Sequence, residues 1–355
     1  MTARATTSPA VWFPAIRAGS GVDVFTTRLV RALERSGIRA EIEWLPHRAE
    51  YLPWTVPMSA PPFWANIVHV NTWLPARFIP AGLPVVATIH HATHDPAVSA
   101  SKGLLRRLYH GWWVTWNERK AMQRSSHVVA VSVYAGELAR RYVHDRPLRI
   151  IPNGVDAEVF FPHTRHECGK PFRLLYVGKW SRLKGVEILA PIMSRLGKDF
   201  QLDYTGPREG LVVGMPENAR NIGRLDGDAA VADAMRNADA LILPSATEGF
   251  GLVVAEAMSC GLPVVVSDIP ALQELVADGA SGFRCEVGNV DSFVAAVRRL
   301  ARDNESRRLM ASEARRRAVE GYSLEEMTRK YISLYRECLG GREVASQAAR
   351  ALIGG

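Results

Sequence analysis

Short β-branched runs separated by longer helical patterns set the tightest limit on how this chain can fold. The runs are Ile67–Val70, Pro84–Ile89, His127–Ser132, Leu148–Pro152, Arg173–Val177, Ala240–Pro244 and Pro263–Ser267. Strands that recur after a helix-length interval run parallel, because an antiparallel pair needs only a tight turn. The pattern therefore predicts an α/β fold of wound parallel sheets. Val24 to Ser36, stopped by Gly37, reads as a first amphipathic helix with Phe25, Leu29 and Leu33 on one face. A chain of 355 residues exceeds what one core usually organises, so two domains of about 150 to 200 residues are expected. Phe161 to Pro171 is polar, holds two prolines and precedes a fresh strand. The hinge is placed there. That gives a first domain over residues 1–165, a second over 166–325 and a C-terminal segment over 326–355. Within these, 291–320 reads as a basic helical region, Leu324–Leu339 as a last helix and Gly340–Gly355 as a loose tail.

Composition excludes several classes. With 47% hydrophobic and 23% charged residues, the chain is not of the disordered type. Cys168, Cys260, Cys285 and Cys338 are scattered without a Cys-x-x-Cys pair, so neither a structural zinc nor a disulfide framework is indicated. No apolar run reaches the roughly 18 residues of a membrane span, since Glu256, Gly261 and Pro263 cut the richest stretch. Ala10–Ile16, broken by Pro14, is too brief for the core of a secretory signal, which points to the cytoplasm. The net charge of +8 is uneven, with 19 Lys+Arg against 11 Asp+Glu in residues 1–165 and a balanced remainder. Eight of the nine tryptophans lie in that same basic part. Such a surface suits nucleic acid, an anionic membrane or an acidic substrate. Nucleic acid is the weakest of these, because no recognised motif interleaves with the basic residues.

The most informative segment runs from Ala240 to Asp268: a strand, a Gly-containing loop, a two-turn helix closed by Gly261, and a further strand. Glu248 precedes the helix and Glu256 lies about two turns on, about 10 Å away along the helix direction. One ligand can touch both. The amides of Phe250 to Val253 read as unpaired donors of a helix N-terminus, where the dipole favours a phosphate. After Arg173–Val177, the stretch Gly178 to Gly185 places Lys179, Arg182 and Lys184 at a strand's C-terminal end, the edge where open α/β sheets bind ligands. Lysines there can neutralise a diphosphate without a metal. The glycine spacing of a Walker phosphate loop is absent. For either segment alone a plainer reading stays open: a capped helix with a surface pair, and a solvated basic loop.

Together these residues resemble the retaining glycosyltransferases of family 4, also called group 1. Their GT-B fold has two facing Rossmann-like domains, a donor cleft between them and a C-terminal helical extension. Glu248 and Glu256 match that family's Glu-x7-Glu element, and Lys184-Gly185 its Lys-Gly after the first strand of the second domain. Ile151 to Asp156, Ser126 to Ser132 and Thr88-Ile89-His90 match as well, so the resemblance covers roughly residues 15–335. Lys179 stands where the family usually has Arg, keeping the charge but losing the bidentate fork. Gly19-Ser20-Gly21 stands where a Gly-Gly pair is usual.

The resemblance implies a hexosyltransferase that takes its sugar, mannose being one candidate, from a GDP- or UDP-linked donor, with no cofactor and no metal. It implies catalytic roles for His90, Lys184 and Glu248. Donor binding falls to Gly21, to Lys179 and Lys184 on the diphosphate, to Glu248, Gly249, Phe250, Gly251 and Leu252 around the sugar, and to Glu256 on the ribose. The acceptor would be a lipid-linked, polysaccharide or lipopolysaccharide precursor, met on the inner face of the plasma membrane. Asp226-Gly-Asp228 has the spacing of a metal-holding Asp-x-Asp, but it precedes a helical pattern and reads as a cap. His90-His91-Ala92-Thr93-His94-Asp95 also fits an acyltransferase motif, which wants Gly where Pro96 stands. A nucleotide-sugar epimerase of the same fold, or a non-catalytic sugar-nucleotide binder, would use the same donor residues. Finally, Ser101 to Lys120 reads as a helix with cations Lys102, Arg106, Arg107, Arg119 and Lys120. Its stripe of Leu104, Leu105, Leu108, Trp112 and Trp116 either docks on an anionic membrane or packs into the core.

Overall fold

The computed structural model describes residues 8–91, 94–95, 109–162, 170–207 and 214–353. Its contacts divide the chain into two compact units, Met1–His94 with Lys102–Gly154 and Leu324–Gly355, and Asp95–Ser101 with Val155–Ser323. Much of the hinge segment, His166, Cys168, Pro96, the cations Lys102, Arg106 and Arg107 and the stripe residues Leu104, Leu105 and Leu108 lie outside the described residues.

The first unit is built on β1 (Ala10–Ile16), β2 (Arg39–Leu45), β3 (Ile67–Asn71), β4 (Val85–Ile89), β5 (His127–Ala130) and β6 (Arg149–Ile150). They form one sheet in the order β2-β1-β3-β4-β5-β6, parallel throughout. The brief apolar patch Ala10–Ile16 is thus a central strand despite Pro14. Its pairing with β3 covers only Val11 and Trp12, so the proline, which has no N–H to give, lies beyond that ladder. Helix Gly21–Arg35 buries Phe25, Leu29 and Leu33 against this sheet, the face its spacing predicts.

The second unit carries β7 (Phe172–Tyr176), β8 (Phe200–Tyr204), β9 (Ala219–Asn221), β10 (Ala240–Leu243), β11 (Val264–Ser267) and β12 (Gly282–Cys285). The order is β12-β11-β10-β7-β8-β9, again parallel. Every residue of β10 and β11 is buried, as parallel strands covered on both faces require. The basic region resolves into helices Val290–Arg302 and Asn304–Gly321. Each is started by a side-chain cap, Asn289 accepting from the Ser292 amide and Asp303 from the Ser306 amide.

Both sheets share a topological consequence. The chain winds outward from β1 to β2 and then restarts on the other side at β3; likewise it winds from β7 through β9 and restarts at β10. The carboxyl ends of β1 and β3, and of β7 and β10, are thus topological switch points, the positions at which open parallel sheets take ligands.

Helix Leu324–Ile353 groups with the first unit rather than standing as a separate segment. Tyr331 and Tyr335, one turn apart, meet a buried polar network from the sheet. The His69 ring takes the Tyr335 hydroxyl at 2.6 Å and the Thr88 hydroxyl at 2.7 Å, and Thr88 meets the Tyr331 hydroxyl at 3.1 Å. With its polar atoms partnered, the network can stay buried without an open desolvation cost. Burial pushes the His69 pKa down to about 3, so the ring is neutral. The helix runs on to Ile353 where the sequence suggests a loose tail from Gly340. Gly340 and Gly341 weaken a helix by only about 1 kcal/mol each, and Arg342, Glu343, Ala345, Gln347 and Ala348 favour it. No helix among the described residues is long and apolar enough to cross a membrane.

Candidate functional site

At the second sheet's switch point two loops are drawn together by a glycine. The loop leaving β7 is pinned at its start, where the Gly178 amide donates to Thr205 Oγ1 at 2.9 Å and the Tyr176 hydroxyl donates to the Lys179 carbonyl at 3.1 Å. At its end Gly185 is left-handed with φ of 67°, and a Cβ there would lie 1.9 Å from the Pro244 carbonyl oxygen. Only glycine lets the backbone pass so close to the exit of β10. Lys184 is thereby delivered to Glu248, with Nζ 2.6 Å from Oε1. The Ser245 hydroxyl donates to that same oxygen at 2.8 Å. Oε2 of Glu248 has no partner among the described residues. The lysine side chain is 29% exposed and the carboxylate 10%, so a ligand can reach the cation while the acid is held beneath it.

Lys179 and Gly249 to Glu256, the members of the implied donor set that lie in the second unit, occupy the same two loops and the helix that follows. Lys179 is exposed, and its ammonium has no partner among the described residues. Gly249 continues the loop from Glu248. Helix Leu252–Ser259 begins at Leu252, two residues later than the sequence suggests. Gly251 supplies its left-handed cap with φ of 91°, and a Cβ there would strike Leu272 Cδ2 at 2.5 Å. Phe250 turns inward and packs edge-on against Tyr322 at 5.6 Å, so its ring anchors the loop. The Val254 amide already bonds the Gly251 carbonyl at 2.9 Å. Leu252 and Val253 therefore carry the amides of the opening turn that face outward from the helix end. Glu256, on the same helix, is buried between Ala255 and Ala257.

His90 and Gly21 lie in the first unit. His90 follows β4, is 8% exposed and packs edge-on against Phe25 at 4.4 Å. Its Nε2 is buried without a hydrogen-bond partner among the described residues. Burial, followed by the charges of His91 and His69, holds its pKa well below the usual imidazole value, so the ring is neutral. An orphaned buried polar atom costs about 1–3 kcal/mol. Gly21 opens helix Gly21–Arg35, and no atom lies within 4 Å of where its Cβ would be. The protein's own packing does not demand glycine there. One residue is invisible in the spacing: Asp23 accepts from the Gly19 amide at 2.7 Å and the Ala18 amide at 3.0 Å, closing the glycine loop on itself. An acid in the first turn after a Gly-Ser-Gly stretch is its sequence signal.

Asp226 takes the N-cap position of helix Gly227–Arg236, but its side chain makes no capping bond and lies 3.4 Å from Arg224 instead. Asp228 sits in the first turn, where the helix dipole favours a negative charge. Among the described residues no group of three or more His, Cys, Asp or Glu could hold a metal ion. Trp112 and Trp116 are exposed at 75% and 45%, so these members of the apolar stripe are not core residues.

The two wound parallel sheets with this edge of cations, carboxylates and helix-end amides define a glycosyltransferase of the GT-B type. The chain belongs to glycosyltransferase family 4: residues 22–159 match the family described as "Glycosyltransferase Family 4", and residues 163–317 that described as "Glycosyl transferases group 1". D-inositol 3-phosphate glycosyltransferase of Nocardiopsis dassonvillei is 31% identical over 329 residues, 80% of this chain and 73% of the relative. The MMP alpha-(1->4)-mannosyltransferase of Mycolicibacterium hassiacum is 29% identical over 296 residues, 77% of this chain and 71% of the relative. Anabaena HepE, solved in complex with UDP and glucose, superposes with a TM-score of 0.70 at 17% identity, covering 92% of this chain and 99% of that one.

Proposed function

We propose that this glycosyltransferase is retaining and metal-independent, and that it moves a hexose from a GDP- or UDP-linked donor to a lipid-linked or polysaccharide precursor of the cell surface. The observation that carries the reading is the Lys184–Glu248 pair, 2.6 Å apart, at the carboxyl ends of β7 and β10 beside a helix N-terminus. As the glycosidic bond breaks, negative charge grows on the departing diphosphate. Lys184, Lys179 and the Leu252 and Val253 amides offset that charge more strongly in the transition state than in the bound donor. Glu248 fixes Lys184 through Oε1 and turns Oε2 to a sugar hydroxyl, while Glu256 takes the ribose. His90, being neutral, contributes a hydrogen bond rather than a charge. The bond from the anomeric carbon to the phosphate oxygen breaks, a bond to the acceptor oxygen forms on the same face, and the acceptor proton passes to the leaving phosphate. No protein base is needed in this scheme. A mannosyltransferase among the relatives favours mannose as the hexose. Exposed Trp112 and Trp116 favour an acceptor held at a membrane surface, with the enzyme peripheral on its cytoplasmic side.

The test is incubation of GDP-mannose and UDP-glucose with candidate acceptors, reading the anomeric configuration by NMR with and without EDTA. An α-linked product that forms equally in EDTA is expected. An inverted product, or activity lost in EDTA and restored by Mn²⁺, contradicts the proposal. The epimerase reading predicts instead a new sugar nucleotide with no acceptor present. The residues after His166 contain no further histidine for the acid–base steps that reaction needs.

A further inference from the structure

A second polar cluster lies in the first unit and is used by nothing described above. β3 and β4 are adjacent, with Asn71 paired to Thr88, so the loops that leave their carboxyl ends are neighbours. Helix Thr115–Arg124 sends Glu118 beneath those loops, where it is 3% exposed. Oε1 accepts from Trp73 Nε1 at 3.0 Å and from the Thr72 hydroxyl at 3.4 Å, both residues just after β3. Oε2 lies 2.6 Å from His94 Nε2, in the loop after β4. A carboxylate accepts only, so Nε2 carries a proton and donates it to Glu118, and in the neutral ring Nδ1 is then the acceptor. The opposite ring nitrogen, Nδ1, has no partner among the described residues, and the His94 side chain is 14% exposed. Around it stand aromatic rings: His94 stacks with Tyr142 at 6.2 Å, and Trp73 packs on His91 at 4.4 Å.

We infer that Glu118 is a positioning residue that locks His94 with Nδ1 presented as a hydrogen-bond acceptor, and that Nδ1 receives a hydroxyl of a polyhydroxylated acceptor ring. The inference rests on the glycosyltransferase reading and adds to it the acceptor's chemistry at one atom. Few polar groups, fixed in orientation and set among aromatic rings, are what recognition of a sugar or polyol needs. Burial of the carboxylate is the sign that orientation is being enforced: a surface glutamate could not dictate the tautomer. The strand-end location agrees, since that is where open parallel sheets take ligands.

The experiment is ¹⁵N NMR of the His94 ring in the whole chain, with UDP or GDP present, titrated with D-inositol 3-phosphate and with methyl α-D-mannopyranoside. The unprotonated nitrogen should be Nδ1, and at least one probe should shift it. Glu118→Gln puts an amide N–H within reach of Nε2 and should move the ring proton to Nδ1, weakening the responding probe roughly fivefold to tenfold, the loss of about one hydrogen bond. Nucleotide affinity should stay unchanged. His94→Asn keeps a polar atom near the Nδ1 position and should retain more probe affinity than His94→Gln, which keeps only the atom facing Glu118. A proton found on Nδ1 in the parent, no response to either probe, or equal affinities in folded Asn and Gln variants would overturn the inference. Failure of the parent to bind either nucleotide would instead refute the underlying donor reading.

Discussion

Replacing Gly185 by Ala tests how the donor edge is assembled. Two penalties apply. The left-handed backbone, with φ of 67°, costs an L-residue about 1–2 kcal/mol. The new Cβ would also sit 1.9 Å from the Pro244 carbonyl oxygen and 2.7 Å from its carbon. That neighbour is backbone and cannot swing aside, so overpacking adds about 1–3 kcal/mol. Gly288→Ala separates the two, because Gly288 also has a positive φ, of 76°, but nothing within 4 Å of its Cβ. The variants should therefore differ by about 1–3 kcal/mol, or by roughly 2–12 °C in melting temperature for a unit of this size. Relief of the clash moves the Lys184 loop away from β10 and separates Lys184 from Glu248. Thermal denaturation and titration of UDP or GDP read both effects: Gly185→Ala melts lower and loses nucleotide affinity, while Gly288→Ala keeps it. Equal melting temperatures, or unaltered affinity in Gly185→Ala, would refute the close approach as the device that builds the site.

Acid should weaken the first unit through His69, whose pKa falls to about 3 on folding. The unfolded chain then binds the extra proton below about pH 6.5, so stability drops as the pH falls, by about 2 kcal/mol from pH 7 to pH 5. Urea titrations at those two values should show His69→Gln losing less between them than the parent; identical losses would rule this out. Glu256→Gln should lower affinity for UDP and GDP while leaving inorganic diphosphate binding unchanged if, as proposed, Glu256 takes the ribose; isothermal titration with both decides it. Vesicles containing anionic lipid should co-sediment the chain in low salt and release it in high salt, and Trp112→Ser/Trp116→Ser should weaken that binding. Equal binding to neutral vesicles would remove the charge component.

The parts of the fold legible in the sequence are those whose cause is local. β10 and β11 are continuous apolar runs because both faces of a parallel strand are covered, and helix Gly21–Arg35 shows its buried face in the spacing of Phe25, Leu29 and Leu33. β1 is hidden by Pro14, whose tolerance depends on where β3 stops pairing, a fact no window of sequence contains. β8 and β9 are only partly buried, β9 is three residues long, and the apolar run of β12 is cut by Arg284, so none of them forms a continuous apolar stretch. At the site, Lys184, Gly185 and Glu248 stand out through spacing, yet the carbonyl that demands Gly185 lies 59 positions along the chain. Glu118 gives no signal at all: as one charged residue in a polar helix, it is distinguished only by partners from two distant loops.

The central claim is that Lys184, held by Glu248, meets the donor diphosphate. Isothermal titration of UDP and GDP into the parent and into Lys184→Ala, with melting curves to confirm that both are folded, tests it most directly. Loss of one charge-assisted contact of about 1.5–3 kcal/mol should weaken the nucleotide that binds by roughly 10- to 150-fold. Folded Lys184→Ala that binds the nucleotide as tightly as the parent would contradict the account.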